Sequence, residues 1–406
     1  MADDPVFILG GYQTDFARNW SQEGVGLFEA MSEAVLGALE AAAVPTKHVD
    51  GIEVGNFVGE LFTGQGHLGG LAASIHPDFA HVAGARHEAA CASGSMAALA
   101  GLAQIQAGWS DLVVVVGIEH MRNVDAVTAA GHLGAAMYLG EESQEATFPW
   151  PHQFSLIADA YAERYELDHD HLGAIAEKNL SNARSNPLAQ TRAWAFEPEA
   201  FGANGLLNPV VEGRLRKQDC GRITDGAAAV VLASSTYLAG HGLTAERFAR
   251  IEGWGRRTAP ILLDVKLAAS ASVGGVMFPH VSEAVAAAQK RAGVSLDDID
   301  VVETHDCFTI SEYMAYDHMG LTPPGESWKV VEEGWARMGG RLPFNPSGGL
   351  IGAGHPVGAT GVRMLNDAAR QVTGTAGAAQ VPGARTAQTI NIGGSTTTVA
   401  SFVVAR

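Results

Sequence analysis

The chain has 406 residues and a formal net charge of −18 at pH 7, which argues against nucleic acid and anionic membrane as partners; an anionic ligand needs a local basic patch. A 47% hydrophobic composition over this length supports a large core and two similar halves. Three cysteines make no disulfide framework, and no Cys or His spacing matches a zinc site.

The first residues, Met1-Ala2-Asp3-Asp4-Pro5, are acidic and lead into an apolar run over 6–9. They lack the basic and apolar regions of a signal peptide. No apolar stretch reaches the roughly 18–20 residues of a membrane span, and Val403-Val404-Ala405-Arg406 carries none of the common address tags. A cytoplasmic, reducing location is expected.

An Ala-rich helical pattern covers 26–42, and a second covers 93–107 just after Cys91. Short apolar runs at 112–116, 228–232, 299–302 and 402–404 read as strands buried on both faces. A further helix is expected over 281–292. Strand–helix alternation predicts α/β layers with parallel strands, and 49 glycines predict many tight turns. Residues 120–217 break this rhythm. They hold Phe148-Pro149-Trp150-Pro151-His152, helices near 156–166 and 171–185, and Asn186-Pro187, and read as an insertion covering one half.

The halves resemble each other. Residues 49–56 (VDGIEVGN) parallel 299–306 (IDVVETHD), and Cys91-x-x-Gly94 parallels His355-x-x-Gly358. Duplication of one βαβ-rich unit accounts for this; chance similarity of Ala/Gly-rich segments is the competing account. The expected division is an N-terminal half of 1–119 and 218–250, an insertion of 120–217, and a C-terminal half of 251–406.

Chemistry concentrates at three places. Cys91 stands at a helix start, where the dipole lowers a thiol pKa and backbone N–H groups can meet an oxyanion; a small buried core cysteine is the plainer alternative. His355, held between Gly354 and Pro356, suits a general base toward that thiol, or a turn histidine bonded to backbone. His305 and Cys307 alternate in a short strand end or turn, where a shared direction would suit proton transfer. A redox pair or metal site is also open there, although the segment offers too few ligands for a metal. Cys220, with no histidine nearby in sequence, reads as structural. Gly348-Gly349 and Gly393-Gly394 match neither a GxGxxG nor a P-loop, which rejects nucleotide hydrolysis.

Four ordered motifs carry a resemblance. They are Glu88-Ala-Ala-Cys91-Ala-Ser-Gly-Ser, Thr304-His-Asp-Cys-Phe-Thr-Ile, Asn345-Pro-Ser-Gly-Gly-Leu with Gly354-His-Pro-Val-Gly-Ala-Thr-Gly, and Asn391-Ile-Gly-Gly-Ser, with Thr224-Asp-Gly-Ala-Ala also fitting. Together they resemble the thiolase superfamily over nearly the whole chain, and within it the sterol-carrier-protein-associated and archaeal-type thiolases. Ordinary members have Asn-Glu-Ala-Phe where this chain has His305-Asp306-Cys307-Phe308, and a cysteine where it has Asn391. Cys307 therefore stands in for the missing acid/base cysteine.

The resemblance implies two βαβαβαββ halves in five α-β-α-β-α layers with an inserted loop domain. It implies a CoA-dependent C-acyltransferase of lipid and fatty acid metabolism, with acyl-CoA as substrate and no resident cofactor or metal. Cys91 is the implied nucleophile, His355 its base and Cys307 the acid/base. His305 and His355 form one oxyanion hole, and the N–H groups of Cys91 and Gly393 the other. Phe308, Arg256 and Arg257 are substrate-binding candidates, with Arg214, Arg216 and Lys217 as further basic candidates for the CoA phosphates. A homodimer or homotetramer is implied. The competing functions are a thiolase-fold aldolase or non-CoA acyltransferase with a small OB-fold partner, and a non-catalytic scaffold. A scaffold has no use for four retained reactive groups.

Overall fold

A computed structural model describes residues 5–273 and 275–406. Nine of its strands form one sheet: β1 (Val6–Gln13), β2 (Gly51–Gly55), β3 (Ala83–His87), β4 (Leu112–Glu119), β7 (Gly226–Ala233), β8 (Ala249–Thr258), β9 (Val301–Thr304), β10 (Thr386–Gly393) and β11 (Thr398–Ala405). Their spatial order is β3-β2-β4-β7-β1-β8-β11-β10-β9. β5 (Val210–Glu212) and β6 (Leu215–Arg216) form a separate hairpin.

The expectation of parallel strands needs correction. β2 runs parallel to β3 and β4, and β9 parallel to β10. The other ladders, β1–β7, β1–β8, β4–β7, β8–β11 and β10–β11, are antiparallel. Apolar continuity reports burial on both faces and carries no information on direction. The short link between β10 and β11 cannot make a parallel crossover, so that pair closes as a hairpin.

The two halves of the sheet join where β1 meets β8, with Phe7 opposite Arg250. Between the halves lie α2 (Ser93–Gln106) and α8 (Val357–Thr373), packed on each other. Outside them lie α1 (Leu27–Ala41), on β1 and β7, and α6 (Pro279–Ala292), on β8 and β11. The result is five α-β-α-β-α layers. Strand alternation builds them: Val113 and Val115 of β4 enter the central cluster with Leu365 and Ala368. Leu112, Val114 and Val116 enter the outer cluster with Ala34 and Val35. Glycines let the central helices approach, since a Cβ on Gly94 would lie 2.6 Å from the Gly358 carbonyl oxygen.

The repeated sequence segments are repeated structure. Asp50 Oδ2 accepts from the N–H groups of Asp111 and Leu112 at 2.8 and 2.9 Å, which starts β4 beside β2. Asp300 Oδ2 accepts from Arg385 and Thr386 at the same two distances, which starts β10 beside β9. The sheet ends differ. Backbone hydrogen bonds from residues 343–345 cover β9, whereas β3 is an edge strand with Ala83, Gly84 and Ala85 exposed.

Residues 120–217 add no strand to the nine-stranded sheet. They contribute α3 (Pro149–Tyr165), α4 (His169–Ala183) and the β5–β6 hairpin. The remaining longer helices are α5 (Leu263–Val273) and α7 (Thr309–His318). No helix among the described residues is long and apolar enough to cross a membrane.

Candidate active site

Cys91 sits in a tight turn, Ala90–Ala92, that feeds α2. Ala90 takes φ +51°, a left-handed value that a non-glycine residue holds only when its surroundings impose it. Side chains from the motif impose it. Glu88 accepts from the Ala90 N–H at 2.6 Å, while Ser93 Oγ accepts from Ala89 N and donates to the Ala90 carbonyl.

His355 stands in the matching place before α8. Gly354 makes the turn at φ +114°, and the His355 N–H donates to Thr224 Oγ1 at 2.9 Å. His305 to Phe308 link the end of β9 to the start of α7. Asp306 faces one way, accepting from Leu350 N and Asn179 Nδ2 at 2.5 and 2.7 Å. His305 and Cys307 face the other way, toward Cys91.

Ligand atoms of Cys91, His305 and His355 lie within 4.8 Å of one another, a spacing that a metal ion could bridge. The two imidazoles meet edge-on, with ring centroids 5.1 Å apart at 87°. Cys91, Cys307, Phe308 and His355 open into a cavity of about 460 Å³ whose walls include Met121, Leu133, Trp150 and Phe154. Phe308 stacks on Phe154 at 4.4 Å. Two cations, Lys217 and Arg222, belong to the lining.

The remaining candidates fall elsewhere. Arg256 and Arg257 are exposed on β8 and absent from the cavity lining, with Arg257 paired to Glu283 at 2.8 Å. Arg214 is paired with Asp159, and Arg216 donates to the Asn208 carbonyl. Gly393 ends β10, opposite Thr398, so close to Ala89 that a Cβ would lie 2.1 Å from its carbonyl oxygen. The next residue, Gly394, lines the cavity, and its N–H reaches the Cys91 sulfur. Cys220, read from sequence as structural, also lines the cavity, because Gly221 N donates to the Cys307 carbonyl at 2.7 Å.

Comparison with known proteins settles the family. Residues 6–194 match the family model described as thiolase, N-terminal domain, and residues 266–406 match the thiolase C-terminal domain-like model. An acetyl-CoA acetyltransferase of Methanothermobacter thermautotrophicus is 33% identical over 411 residues, covering 99% of both chains. The chain belongs to the thiolase family. Sterol carrier protein 2 of Homo sapiens is 28% identical over 96% of this chain and 70% of its own. Among solved structures, human mitochondrial 3-ketoacyl-CoA thiolase in complex with CoA aligns with TM-score 0.72 and 17% identity over 99% of this chain and 98% of that one. An Ltp2-ChsH2(DUF35) aldolase aligns with TM-score 0.78 and 19% identity over 99% and 97%. At those identities the structures show the thiolase fold.

Electrostatics in this thiolase-family site depart from the sequence expectation. Burial pushes the Cys91 thiol up to about 12, outweighing the Gly394 N–H that favours the thiolate; the Glu119 charge adds to the rise. The helix start therefore does not make a resting thiolate. Burial raises Cys307 well above its ordinary range, with Cys91 adding to it, and raises Cys220 too. Burial holds His355 down to about 3, with the Arg363 charge contributing. Burial, then His355 and Arg363, hold His305 well below its usual value. All of these groups are neutral at pH 7.

Sequence reasoning missed Glu119. Its carboxylate accepts from Phe57 N, Val58 N, Asn56 Nδ2 and Gly358 N at 2.9–3.1 Å, tying the end of β4 to the start of α8. Burial pushes it up to about 7. The available signal was a lone acid closing an otherwise apolar strand, a position that demands partners. Thr224, Thr360 and Ser95 lie inside the quoted motifs, but their roles were not assigned, since hydroxyls are ordinary in Gly-rich turns.

Proposed function

We propose that this chain is a CoA-dependent C-acyltransferase of the thiolase type, joining acyl-CoA units or cleaving 3-oxoacyl-CoA through an acyl-Cys91 intermediate. The observation that carries this is the convergence of Cys91, His305, Cys307 and His355, from both halves of the molecule, on one end of an apolar cavity. In the cleavage direction the Cys91 sulfur attacks the 3-keto carbon, and its proton passes to His355. The C2–C3 bond then breaks. Cys307 protonates the departing enolate, and acyl-Cys91 remains. Free CoA gives its thiol proton to the Cys307 thiolate, attacks the acyl-enzyme and leaves as acyl-CoA. Cys91 then recovers its proton from His355.

The resting thiol and imidazole are both neutral, so proton transfer accompanies attack and no free thiolate waits in the empty site. The charge that develops on substrate oxygens meets donors on two sides: His305, joined by His355 once it holds the Cys91 proton, and the N–H groups of Cys91 and the Gly393–Gly394 turn. Coenzyme A is a substrate here. Lys217 and Arg222 supply the local positive charge that a polyanion needs against a net charge of −18. Free thiols of this kind suit a reducing, cytoplasmic setting.

Incubation with acetyl-CoA followed by peptide mass spectrometry should place an acetyl group on the Cys91 peptide, and a 3-oxoacyl-CoA should be cleaved when CoA is added. Absence of both would remove the reading.

The likeness to the Ltp2-ChsH2(DUF35) aldolase favours one second reading, an aldolase or non-CoA acyltransferase acting with a small OB-fold partner. That reading predicts turnover only when the partner is added. We also infer a homodimer. The open β3 edge is a strand-pairing surface that soluble proteins cover, and a second copy of β3 would cover it, as the 343–345 segment covers β9. Light scattering should give twice the chain mass, and a proline within β3 should halve it.

A further inference from the structure

The two histidines beside Cys91 look interchangeable until their second ring nitrogens are considered. Asn391, fully buried at the end of β10, makes three hydrogen bonds. Its Nδ2 donates to the Cys91 carbonyl at 3.1 Å and faces His305 Nδ1 at 3.1 Å. Its Oδ1 accepts from Ser95 Oγ at 2.8 Å. A backbone carbonyl only accepts, so the nitrogen end of the amide must face Cys91, and the amide cannot flip without placing two acceptors together. The second amide hydrogen therefore points at His305 Nδ1, which must accept it. A neutral imidazole that accepts at Nδ1 carries its proton on Nε2.

His355 has a different neighbour. Its Nδ1 lies 2.7 Å from Thr360 Oγ1, a hydroxyl that can donate or accept. The Thr360 hydroxyl also lies within reach of the Pro356 carbonyl, at 3.0 Å. With its own hydrogen turned to Pro356, it accepts from His355 Nδ1–H and leaves Nε2 as a bare lone pair. That Nε2 is buried and has no hydrogen-bond partner among the described residues. If His355 gains a second proton, the arrangement at Nδ1 is undisturbed. If His305 gained one, its Nδ1–H would meet the Asn391 N–H head-on, and a buried hydrogen bond would be lost.

We propose that Asn391, braced by Ser95, is a positioning residue that fixes His305 as an Nε2–H donor and denies it the role of base, so that His355, backed by Thr360, receives the Cys91 proton. Deepening the acyltransferase reading, this gives a physical cause for the division of labour between the two rings. His305 meets the developing enolate oxygen, and His355 moves the proton. It also reduces the metal-binding capacity of the Cys91–His305–His355 trio, because a ring protonated at Nε2 offers no lone pair there.

Neutron diffraction from deuterium-exchanged wild-type crystals at pH 7 reads the assignment directly, without substrate. Deuterium is expected on His305 Nε2 and not on His305 Nδ1; the reverse would overturn the proposal. Asn391→Asp supplies an acceptor in place of the donor. His305 should then take its proton on Nδ1, and the pH profile of kcat should gain an ionisation between pH 5 and 8 that wild type lacks. Condensation should fall about 10²–10³-fold, the usual cost of one oxyanion donor, and at least tenfold more than Cys91 acetylation falls. Equal losses in both half-reactions with an unchanged pH profile would reduce Asn391 to a packing residue. Should wild type fail to acetylate Cys91, the acyltransferase reading falls, while the deuterium positions still decide the tautomer.

Discussion

At the scale of single residues, the two thiols facing each other have separable duties. Cys91→Ala should abolish acetyl transfer from acetyl-CoA, because the covalent intermediate forms on its sulfur. Cys307→Ala should still take label at Cys91, but its condensation and thiolysis should fall by roughly 10²–10⁴-fold, the range for one positioned acid/base. Radiolabel retention and steady-state turnover, measured on the same preparations, test the split. Parallel losses in the two assays would make Cys307 structural. The raised thiol values add a pH expectation. Since burial pushes Cys91 up to about 12, its alkylation by iodoacetamide in the empty enzyme should keep rising through pH 9, with no plateau near the ordinary cysteine value.

At the scale of elements, backbone-to-backbone contact at glycines sets where the reactive side chains sit. A Cβ on Gly358 would lie 2.6 Å from the Ile118 carbonyl oxygen and 2.8 Å from Glu119 Oε2. Gly358→Ala should therefore displace the start of α8, which His355 immediately precedes. A Cβ on Gly255 would lie 1.9 Å from the Ala284 carbonyl oxygen, but there it would lift α6 from β8 on the outer face. Both substitutions should cost about 1–3 kcal/mol of stability, the usual range for overpacking. Only Gly358→Ala should also slow Cys91 acetylation. Urea unfolding and acetylation rates on the two variants check the contrast, and an equally slow Gly255→Ala would contradict this placement of the site.

At the scale of the whole molecule, buried titratable groups pull stability in opposite directions with pH. His355 is held down to about 3 in the folded state, against about 6.5 in an unfolded chain. Below pH 6.5 the unfolded chain takes this proton and the folded one does not. Stability that is fully present above that value is therefore lost as pH falls toward 3. Between pH 7 and 5 the loss comes to about 2 kcal/mol for this one group. Glu119, Glu303, Asp306 and Asp317, each pushed up to about 7, act oppositely. They bind protons in the folded state first, and so favour folding as pH drops from 7 toward 4. Wild-type stability alone cannot isolate His355, but comparison with His355→Ala can. Urea unfolding at pH 7 and 5 should show the variant gaining about 2 kcal/mol relative to wild type at the lower pH. An unchanged difference would mean that His355 is not held neutral.

The sequence by itself determined the layers and pointed to the duplication, and it nominated Cys91, His305, Cys307 and His355 as the reactive groups. Continuous apolar strands such as residues 112–116 announce burial on both faces, and Gly-rich turns around Cys91 and His355 announce helix starts. It also marked 120–217 as a break in the strand–helix rhythm, and Trp150 and Phe154 from that stretch line the cavity. Only the tertiary structure decided strand direction, because burial on both faces looks the same in either orientation. It alone brought Cys220, Lys217 and Arg222 to the cavity and left Arg256 and Arg257 on an outer strand, since chain separation says nothing about which loops converge. It reversed the expectation for Cys91, because a helix start lowers a thiol pKa only where water or charge supports the thiolate, and burial here outweighs the dipole. It also supplied the physical cause that separates His305 from His355. Which nitrogen of a histidine holds the proton is set by its hydrogen-bond partner, and those partners, Asn391 and Thr360, meet the rings only once the chain has folded.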